Sequence, residues 1–341
     1  MNDSTGQSLL IWSPSPHVKR ANSTKKIMQR VCIALLPACI MGVVYFGLKA
    51  LLILALSLFS AVASEFIFLL IAGKSFKEIA KNFDYTSCVT GLLVGMTIGT
   101  NYPWYAPVLG SVFAIIVVKM LFGGTGKNLV NPAIAGRIFI FMSFQSVVGA
   151  WLYPSIGAIG GETGSTITTG ATVLEGLLKG NGVALSNWDL LLGTGLQGCI
   201  GETCKIALIL GGIYLAVRKV INPLYPIIYI AVEGLFAVCL AGFDFNVFLP
   251  SILSGGLFLG AIFMATDYVT TPNTRLGNII YFVALGLLTA GLRAATKMEV
   301  VSFAILLMNL IVPLIDKFIV QRPFGYVREK KVKAEKAAKN G

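Results

Sequence analysis

Four consecutive residues, Thr169 to Thr172, form the most specific chemical pattern in this sequence. They read Thr-Gly-Ala-Thr within the segment STITTGATVLEG. A threonine hydroxyl that follows Gly170 and Ala171 has little steric hindrance, so another enzyme can reach it. The pattern is typical of the acceptor site at which a flavin transferase joins flavin mononucleotide (FMN) to a threonine through a phosphoester. We therefore predict a flavoprotein, and in that sense a phosphoprotein, with covalent FMN on Thr172. An ordinary turn is the alternative.

Two carboxylates, Glu65 and Glu233, lie within long apolar runs. An ionised side chain at the centre of a membrane costs about 2.5–3.5 kcal/mol on insertion scales, so each carboxylate needs a partner or a function. We predict that both are candidates for a cation or proton path. The alternative is a carboxyl group that is capped by a hydroxyl or a backbone amide, or that stays protonated.

Polar loops between the apolar runs supply the other candidate binding residues. Asn131 and Arg137 lie in the segment LVNPAIAGR, and Asp267 lies in ATDYVTTP. Asp267 could bind a flavin ring edge, a phosphate or an ion, or it could cap a helix end. Arg137 could hold an anion or extend its side chain to the membrane surface. Glu202 and Lys205 are three residues apart and could pair across one helical turn.

Several familiar redox and nucleotide sites do not occur in this sequence. His17 is the single histidine, so the chain cannot supply both ligands of a bis-histidine haem. Neither a dinucleotide-binding fingerprint nor a P-loop occurs. The six cysteines contain no CxxC pair, and we predict that Cys199 and Cys204 serve packing rather than a metal or a disulfide. No catalytic side chain and no metal-ligating set are predicted.

The composition is that of a membrane protein. Hydrophobic residues make up 56% of the 341 residues and charged residues only 12%, and the mean hydropathy is +0.81. A spanning helix needs about 20 apolar residues, so we predict an all-α integral membrane protein of about ten transmembrane helices. The third of them is short and rich in glycine, which is typical of a half-span or a broken helix. The predicted ranges are 31–48, 50–73, 87–100, 104–122, 133–153, 203–218, 224–241, 247–264, 278–295 and 299–318.

The distribution of basic residues predicts which loops face the cytoplasm. The net charge is +12, but the lysines and arginines cluster at segment ends and in both tails, as membrane topology requires. With the N-terminus in the cytoplasm, most of the 27 basic residues are cytoplasmic. We therefore predict a multi-pass protein of the inner (cytoplasmic) membrane, with both termini inside, the Thr172 loop outside and no nucleic-acid partner. The basic residues predicted outside are Lys49, Lys179, Lys205, Arg293 and Lys297.

Two stretches, 101–139 and 243–282, resemble each other in an aromatic-rich turn, a proline, a glycine-bearing helix and a polar loop. Such a repeat would divide the membrane region into a pair of related five-helix halves. It aligns span four with span eight, however, whereas a five-plus-five inverted repeat aligns span four with span nine. A chance similarity of such loops is the alternative. The predicted regions are a cytoplasmic segment (1–30), a first membrane half (31–153), an outward loop with the flavin site (154–202), a second membrane half (203–318) and a basic cytoplasmic tail (319–341).

Motifs along nearly the whole chain resemble one known family. The segments PSPHV, LVNPAIAGR, TTGAT, GCIGETCK and MATDYVTTPNTRLGN are similar to those of the RnfD subunit of the Rnf complex, an ion-translocating ferredoxin:NAD oxidoreductase. They are also similar to those of the NqrB subunit of the sodium-pumping NADH:quinone oxidoreductase. The length and the N-terminus favour the Rnf family member. The sequence departs from the family pattern at residues 165–168, where acceptor sites often have an acidic residue.

The resemblance implies FMN esterified to Thr172 and a second, noncovalent flavin near the cytoplasmic loops. It also implies partners, namely a flavin transferase and the other membrane and peripheral subunits, among them a second flavin-bearing subunit and iron–sulfur subunits. The predicted function is therefore electron transfer within a translocase that couples electron flow to the export of Na⁺ or H⁺. Partners are also required because one flavin on one face cannot carry electrons across about 30 Å of hydrocarbon.

Two other functions are compatible with the sequence. A secondary transporter or channel that uses Glu65 and Glu233 is favoured by the broken third span and the possible repeat. A structural scaffold for other subunits is the third alternative. The Thr172 pattern separates these functions, because a transporter has no need for a modifiable threonine in a loop.

Overall fold

The computed structural model of the chain describes residues 23–145, 186–194 and 198–320, and all regular structure within these ranges is helical. The predicted all-helical class is therefore confirmed for the described residues. The helices are α1 (Thr24–Phe46), α2 (Leu48–Ile71), α3 (Phe76–Asn82), α4 (Thr86–Met96), α5 (Tyr105–Phe113) with a π-helical continuation (Ala114–Met120), α6 (Pro132–Ser143), α7 (Asn187–Leu192), α8 (Lys205–Val217), α9 (Leu224–Leu240), a 3-10 turn (Phe245–Val247), α10 (Phe248–Leu253), α11 (Leu257–Leu259) with a π-helical continuation (Gly260–Met264), α12 (Arg275–Thr296) and α13 (Val301–Phe318).

Four of these helices, α1, α2, α12 and α13, are long and apolar enough to cross a membrane. A fifth candidate span is the pair Phe245–Leu253 and Leu257–Met264, whose two segments are bent by 66°. The remaining apolar helices have 10–17 residues, and a helix of that length reaches at most about 26 Å, against about 30 Å for the hydrocarbon core. Each predicted range overlaps one of these helices, but ten spans and two related halves remain predictions.

The observed helix ends agree with one prediction and differ from two others. The third predicted span is short, as expected, because α4 has 11 residues and ends at Met96. The predicted continuous helix 247–264 is wrong, since Ser254, Gly255 and Gly256 separate α10 from α11. Gly255 has a φ of +67°, which side chains rarely tolerate. The first helix starts at Thr24 rather than at residue 31, because the Ser23 hydroxyl accepts a hydrogen bond from the Lys26 backbone N–H and caps it.

Helices α1 and α8 pack at close range and join the earlier helices to the later ones. Gly42 of α1 packs on Ile200, and Gly211 of α8 packs on the backbone carbonyl of Ala34. Small residues allow such close approach between membrane helices. One continuous cluster of buried apolar side chains extends from α1 to α13. The described helices therefore share one apolar core.

Candidate functional site

Polar side chains from several loops line a cavity of about 110 Å³, here named cavity A. Its walls come from α1, α4, the loop before α6 and the end of the π-helix Gly260–Met264. Asn131 and Asp267, which the sequence singled out separately, both line this cavity. The structure therefore brings two of the predicted cofactor-binding residues to one place. Other polar lining residues are Thr86, Thr90, Lys119, Thr125, Asn128, Thr266 and Tyr268.

Asn131 holds two of the loops around cavity A together. Its Oδ1 accepts a hydrogen bond from the Ala133 backbone N–H at 2.9 Å and caps α6, which begins at Pro132. Its Nδ2 donates to the carbonyl oxygen of Met264 at 3.0 Å. The second N–H of the Asn131 amide and the second lone pair of its oxygen therefore remain for a ligand. Asn131 is therefore first a positioning residue and second a candidate ligand contact.

Asp267 lies half-buried in the loop that follows the π-helix Gly260–Met264. Its Oδ1 accepts from the Val269 backbone N–H at 3.5 Å and its Oδ2 from the Thr270 hydroxyl at 3.4 Å. Burial raises the pKa of Asp267 above its ordinary value, and these long hydrogen bonds offset only a fraction of that effect. A cation or a hydrogen-bond donor in cavity A would stabilise the charged carboxylate.

A buried charged network joins α2, α4 and the π-helix Ala114–Met120. The Lys119 Nζ donates to the Glu65 Oε1 at 2.7 Å and to the Thr86 Oγ1 at 2.5 Å. The Thr86 hydroxyl donates to the Asp84 Oδ1 at 2.6 Å, and the Thr125 hydroxyl donates to the Asp84 Oδ2 at 2.8 Å. Glu65 and Lys119 are buried. The alternative of a Glu65 capped by a hydroxyl or an amide is therefore wrong, because its partner is an ammonium group.

The local sequence explains why Asp84 and Thr125 meet. Gly123 and Gly124 have φ values of +105° and +89°, which only glycine adopts readily, and they turn the chain directly after the π-helix. The Asp84 Oδ1 also accepts from the Thr86 backbone N–H at 3.0 Å, at the helix end that favours a negative charge. Burial raises the pKa of Asp84, but hydrogen bonds from Thr86 and Thr125 and the charge of Lys119 outweigh burial, so the pKa lies below its ordinary value.

A second cavity, here named cavity B, has a volume of about 380 Å³. Glu65 and Asp84 line cavity B, whereas Lys119 and Thr86 line cavity A. Thr125 lines both. The charged network therefore separates the two cavities. Its carboxylates line cavity B, and its ammonium group lines cavity A. Further polar residues that line cavity B are Lys74, Glu78 and Asn82.

Comparison with known proteins places the chain in a family. A family model described as the NQR2, RnfD, RnfE family matches residues 11–325. The chain belongs to this family. It is 41% identical over 322 residues to the D subunit of the Na(+)-translocating ferredoxin:NAD(+) oxidoreductase complex of Acetobacterium woodii, covering 94% of this chain and 96% of that one.

Two further relatives carry related names. The chain is 36% identical over 329 residues to the D subunit of the proton-translocating ferredoxin:NAD(+) oxidoreductase complex of Clostridium ljungdahlii, covering 92% of this chain and 95% of the relative. It is 33% identical over 345 residues to the D subunit of the ion-translocating oxidoreductase complex of Stutzerimonas stutzeri, covering 93% and 96%. The resemblance read from the sequence motifs is thus confirmed.

In this member of the NQR2, RnfD, RnfE family, the second predicted intramembrane carboxylate, Glu233, is fully buried. The Arg293 Nη1 donates to the Glu233 Oε1 at 2.6 Å, and its Nη2 donates to the Glu299 Oε2 at 2.9 Å. The Ser251 hydroxyl donates to the same Glu233 oxygen at 3.1 Å. None of these residues lines cavity A or cavity B. One arginine therefore pairs with two carboxylates, and Glu233, Arg293 and Glu299 are together named the Glu233 clamp.

Arg137, Glu202 and Lys205 do not interact as predicted. The Arg137 Nη1 lies 3.1 Å from the Glu202 Oε1, so an Arg137 side chain that extends to the membrane surface is a wrong prediction. The predicted ion pair between Glu202 and Lys205 is also wrong. The Lys205 Nζ donates instead to the backbone carbonyls of Glu202 and Gly255, the latter at 2.9 Å. Arg137 does not line cavity A.

Sequence reasoning missed the cations that neutralise the two intramembrane carboxylates. Lys119 and Arg293 lie near the ends of the predicted spans 104–122 and 278–295 and were counted only for the distribution of charge, yet both are buried. The available signal was a single basic residue next to an apolar run. It could not reveal the partners, which lie 54 and 60 residues away in the chain.

Two further predictions concern the flavin acceptor segment and the cysteines. The segment from Thr169 to Thr172, with Gly170 and Ala171, lies outside the described residues. Cys199 and Cys204 are free and buried. Within the described ranges of the chain, no group of three or more His, Cys, Asp and Glu side chains could hold a metal ion.

Proposed function

We propose that this chain is a membrane electron-transfer subunit of an ion-translocating ferredoxin:NAD oxidoreductase complex. The observation that carries this proposal is the similarity over 94% of the chain to the D subunit of such a complex in Acetobacterium woodii. The network of Glu65 and Lys119 between two cavities supports it, because ionisable groups that face a cavity inside a membrane protein mark ion paths. The relatives' names include both Na⁺ and protons, so the exported ion is one of these two.

The proposed redox group is FMN joined through a phosphoester to Thr172. Support comes from the Thr-Gly-Ala-Thr pattern, in which Gly170 and Ala171 leave the hydroxyl accessible to a flavin transferase. FMN accepts and releases electrons one or two at a time, which suits a subunit that passes electrons between partners. The loop that holds Thr172 is proposed to face the outside of the inner membrane, with both termini in the cytoplasm.

A second, noncovalent flavin is proposed at cavity A. Typical ligand pockets have about 300–1,000 Å³, so a cavity of about 110 Å³ has room for one edge of a flavin ring and not for the whole cofactor. Asn128, Asn131 and Asp267 would hold that edge through their amide and carboxylate groups. Arg137 is excluded from this set, because its guanidinium group is engaged with Glu202. The rest of the flavin would contact a partner subunit.

The proposed partners follow from distance as well as from similarity. A flavin on the outer face cannot exchange electrons directly with one at a cytoplasmic cavity across about 30 Å of hydrocarbon. Other subunits must therefore carry electrons between the two faces, and we propose a second flavin-bearing subunit and iron–sulfur subunits. A secondary transporter remains the second candidate function, because Glu65 at cavity B would serve ion passage in either case.

In-gel fluorescence tests the covalent flavin. The full-length chain is coexpressed with a flavin transferase, run on a denaturing gel and examined for yellow-green flavin fluorescence at its band. We expect fluorescence in the wild type and in Thr169→Ala, and none in Thr172→Ala. Thr169→Ala is the matched control, because it removes a hydroxyl from the same tetrad. Fluorescence that survives Thr172→Ala would assign the flavin to another residue, and a dark wild-type band would favour the transporter.

A further inference from the structure

Cavity B has the size of a ligand pocket and lies beside exposed apolar surface. Its volume of about 380 Å³ is within the range of about 300–1,000 Å³ that is typical of such pockets. Ala72 and Met120 line the cavity, and their chain neighbours Ile71 and Leu121 are 82% and 65% exposed. Exposed apolar surface marks contact with a membrane or a protein, so lipid chains have a surface directly beside the cavity.

Charged side chains of both signs surround the opening of cavity B. Lys74 and Glu78 line the cavity and are exposed. The Lys127 side chain crosses Gly123, another lining residue, so closely that a Cβ at Gly123 would lie 2.8 Å from its Cδ and 3.5 Å from its Nζ. Asp84 is half-buried and also lines the cavity. Two ammonium groups and two carboxylates therefore surround one opening, and their formal charges cancel.

The exposed groups at this opening are available to a ligand. Within the described part of the chain, the side chains of Lys74 and Glu78 form neither an ion pair nor a hydrogen bond. In the Glu233 clamp, by contrast, the charges satisfy one another, and neither cavity reaches the clamp. At the inner end of cavity B, Glu65 is already paired with Lys119, so this pair adds no net charge.

Asp84 has the capacity to accept one further hydrogen bond. Its Oδ1 accepts from the hydroxyl and the backbone N–H of Thr86. Among the described residues, its Oδ2 accepts only from the Thr125 hydroxyl, at 2.8 Å. A carboxylate oxygen has two acceptor sites, and a primary ammonium group has three N–H donors. A ligand with such an ammonium group can therefore bind Asp84 Oδ2 without displacing either threonine.

The charge pattern favours a ligand that carries both signs. A purely anionic group would be attracted by Lys74 and Lys127 but repelled by Glu78 and Asp84, and a purely cationic group would meet the reverse. A zwitterion with a phosphate and an ammonium group satisfies both pairs. Lysine binds phosphate as a point charge, and basic pockets at the membrane surface bind phospholipid headgroups. The chemistry is that of a zwitterionic phospholipid with a primary amine.

We propose that cavity B binds the headgroup of a phosphatidylethanolamine molecule. The ammonium group enters the cavity and donates to the carboxylates of Asp84 and Glu78. The phosphate lies at the opening between the ammonium groups of Lys74 and Lys127, and the acyl chains cover the exposed apolar side chains beside it. The inference goes beyond the proposed electron transfer and does not rest on it.

Native mass spectrometry of the full-length chain tests this site. The protein is purified in detergent, delipidated and titrated with one phospholipid at a time, each with the same acyl chains. The probes are phosphatidylethanolamine, phosphatidylcholine, whose ammonium group has no N–H, and phosphatidylglycerol, which has no ammonium group. The variants are Lys74→Ala, Lys127→Ala, Glu78→Gln and Asp84→Asn. Lys77→Ala is the matched control, because it removes an exposed lysine three residues away that does not line cavity B.

We expect wild type to bind phosphatidylethanolamine about tenfold more tightly than either other lipid, a difference of about 1.4 kcal/mol. Lys74→Ala and Lys127→Ala should weaken the binding of phosphatidylethanolamine and phosphatidylcholine alike, because both lipids carry the phosphate. Glu78→Gln and Asp84→Asn should abolish most of the preference between these two lipids. Both should also strengthen the binding of phosphatidylglycerol, because each removes a negative charge. Lys77→Ala should bind all three lipids as wild type does.

Several outcomes would overturn the proposal. One is equal binding of phosphatidylethanolamine and phosphatidylcholine by wild type, and another is tighter binding of phosphatidylglycerol, which would assign an anion site. An equal loss of affinity in Lys77→Ala and Lys74→Ala would assign a general effect of surface charge. An unchanged lipid preference in Glu78→Gln would exclude the carboxylates. If Asp84→Asn does not fold, Glu78→Gln decides, because Glu78 is exposed.

Discussion

At the residue scale, the Thr86 hydroxyl connects two carboxylates through one short chain of hydrogen bonds. It accepts from Lys119 and donates to Asp84, so its single proton is directed toward the loop side of the network. Among the described residues, the Glu65 carboxylate at the other end accepts a hydrogen bond only from the ammonium group. A change at Asp84 should therefore act on the orientation of Thr86 and, through it, on Lys119.

The lowered pKa of Asp84 predicts how stability depends on pH. Because the folded-state pKa lies below the ordinary value of 3.8, the charged carboxylate stabilises the fold above that value. This contribution is lost as the pH falls through the folded-state pKa. We expect wild type to unfold at a higher temperature than Asp84→Asn at about pH 5, and the difference to shrink toward about pH 3. A difference that stays constant over this range in thermal unfolding would contradict the assignment.

At the element scale, the sequence predicted where helices lie better than where they break. Hydropathy located every described apolar helix, because burial in lipid needs a continuous apolar run. The break at Gly255 was missed, since serine and glycine are common inside membrane helices. The Glu299 carboxylate and Arg293, which leave no room for a Cβ at Gly255, are distant in the sequence. The π-helix around Lys119 was also missed. Lys119 contacts Glu65, which lies 54 residues earlier in the chain, and the local sequence does not reveal such a contact.

The close packing of α1 and α8 gives a prediction for Gly211. A methyl group at this position would overlap the backbone carbonyl of Ala34, which cannot move aside as a side chain can. We expect Gly211→Ala to lower the free energy of unfolding by about 1–3 kcal/mol, as overpacking does. Gly291→Ala is the control, because no atom lies within 4 Å of a Cβ built there. Equal stability of the two variants in thermal unfolding would contradict the packing.

At the scale of the whole molecule, two of the ion pairs among the described residues join helices that correspond in a five-plus-five scheme. Glu65 and Lys119 connect the predicted second and fourth spans, and Glu233 and Arg293 connect the seventh and ninth. This correspondence favours a five-plus-five arrangement over the alignment of span four with span eight suggested by loop similarity. The positions of the loops relative to the membrane stay a prediction from the distribution of charge.

Some residues of the candidate site were predictable for reasons of chemistry. Asn131 and Asp267 are polar residues in loops, and such residues stand out in a chain that is only 12% charged. Their convergence on cavity A required the fold, because the Asn131 amide reaches the Met264 carbonyl across 133 residues. The partition between the two cavities could not be predicted, since it depends on three separate helices meeting.

Electron-driven ion transport in membrane vesicles tests the proposed function most directly. Inverted vesicles that contain the whole complex receive reduced ferredoxin and NAD, and the uptake of Na⁺ or H⁺ is measured together with NADH formation. We predict ion uptake with wild-type chain and its loss with Thr172→Ala, although the complex still assembles. The Thr169→Ala complex should behave as wild type. Ion uptake at the wild-type rate in assembled Thr172→Ala vesicles would contradict the proposed role of the covalent flavin.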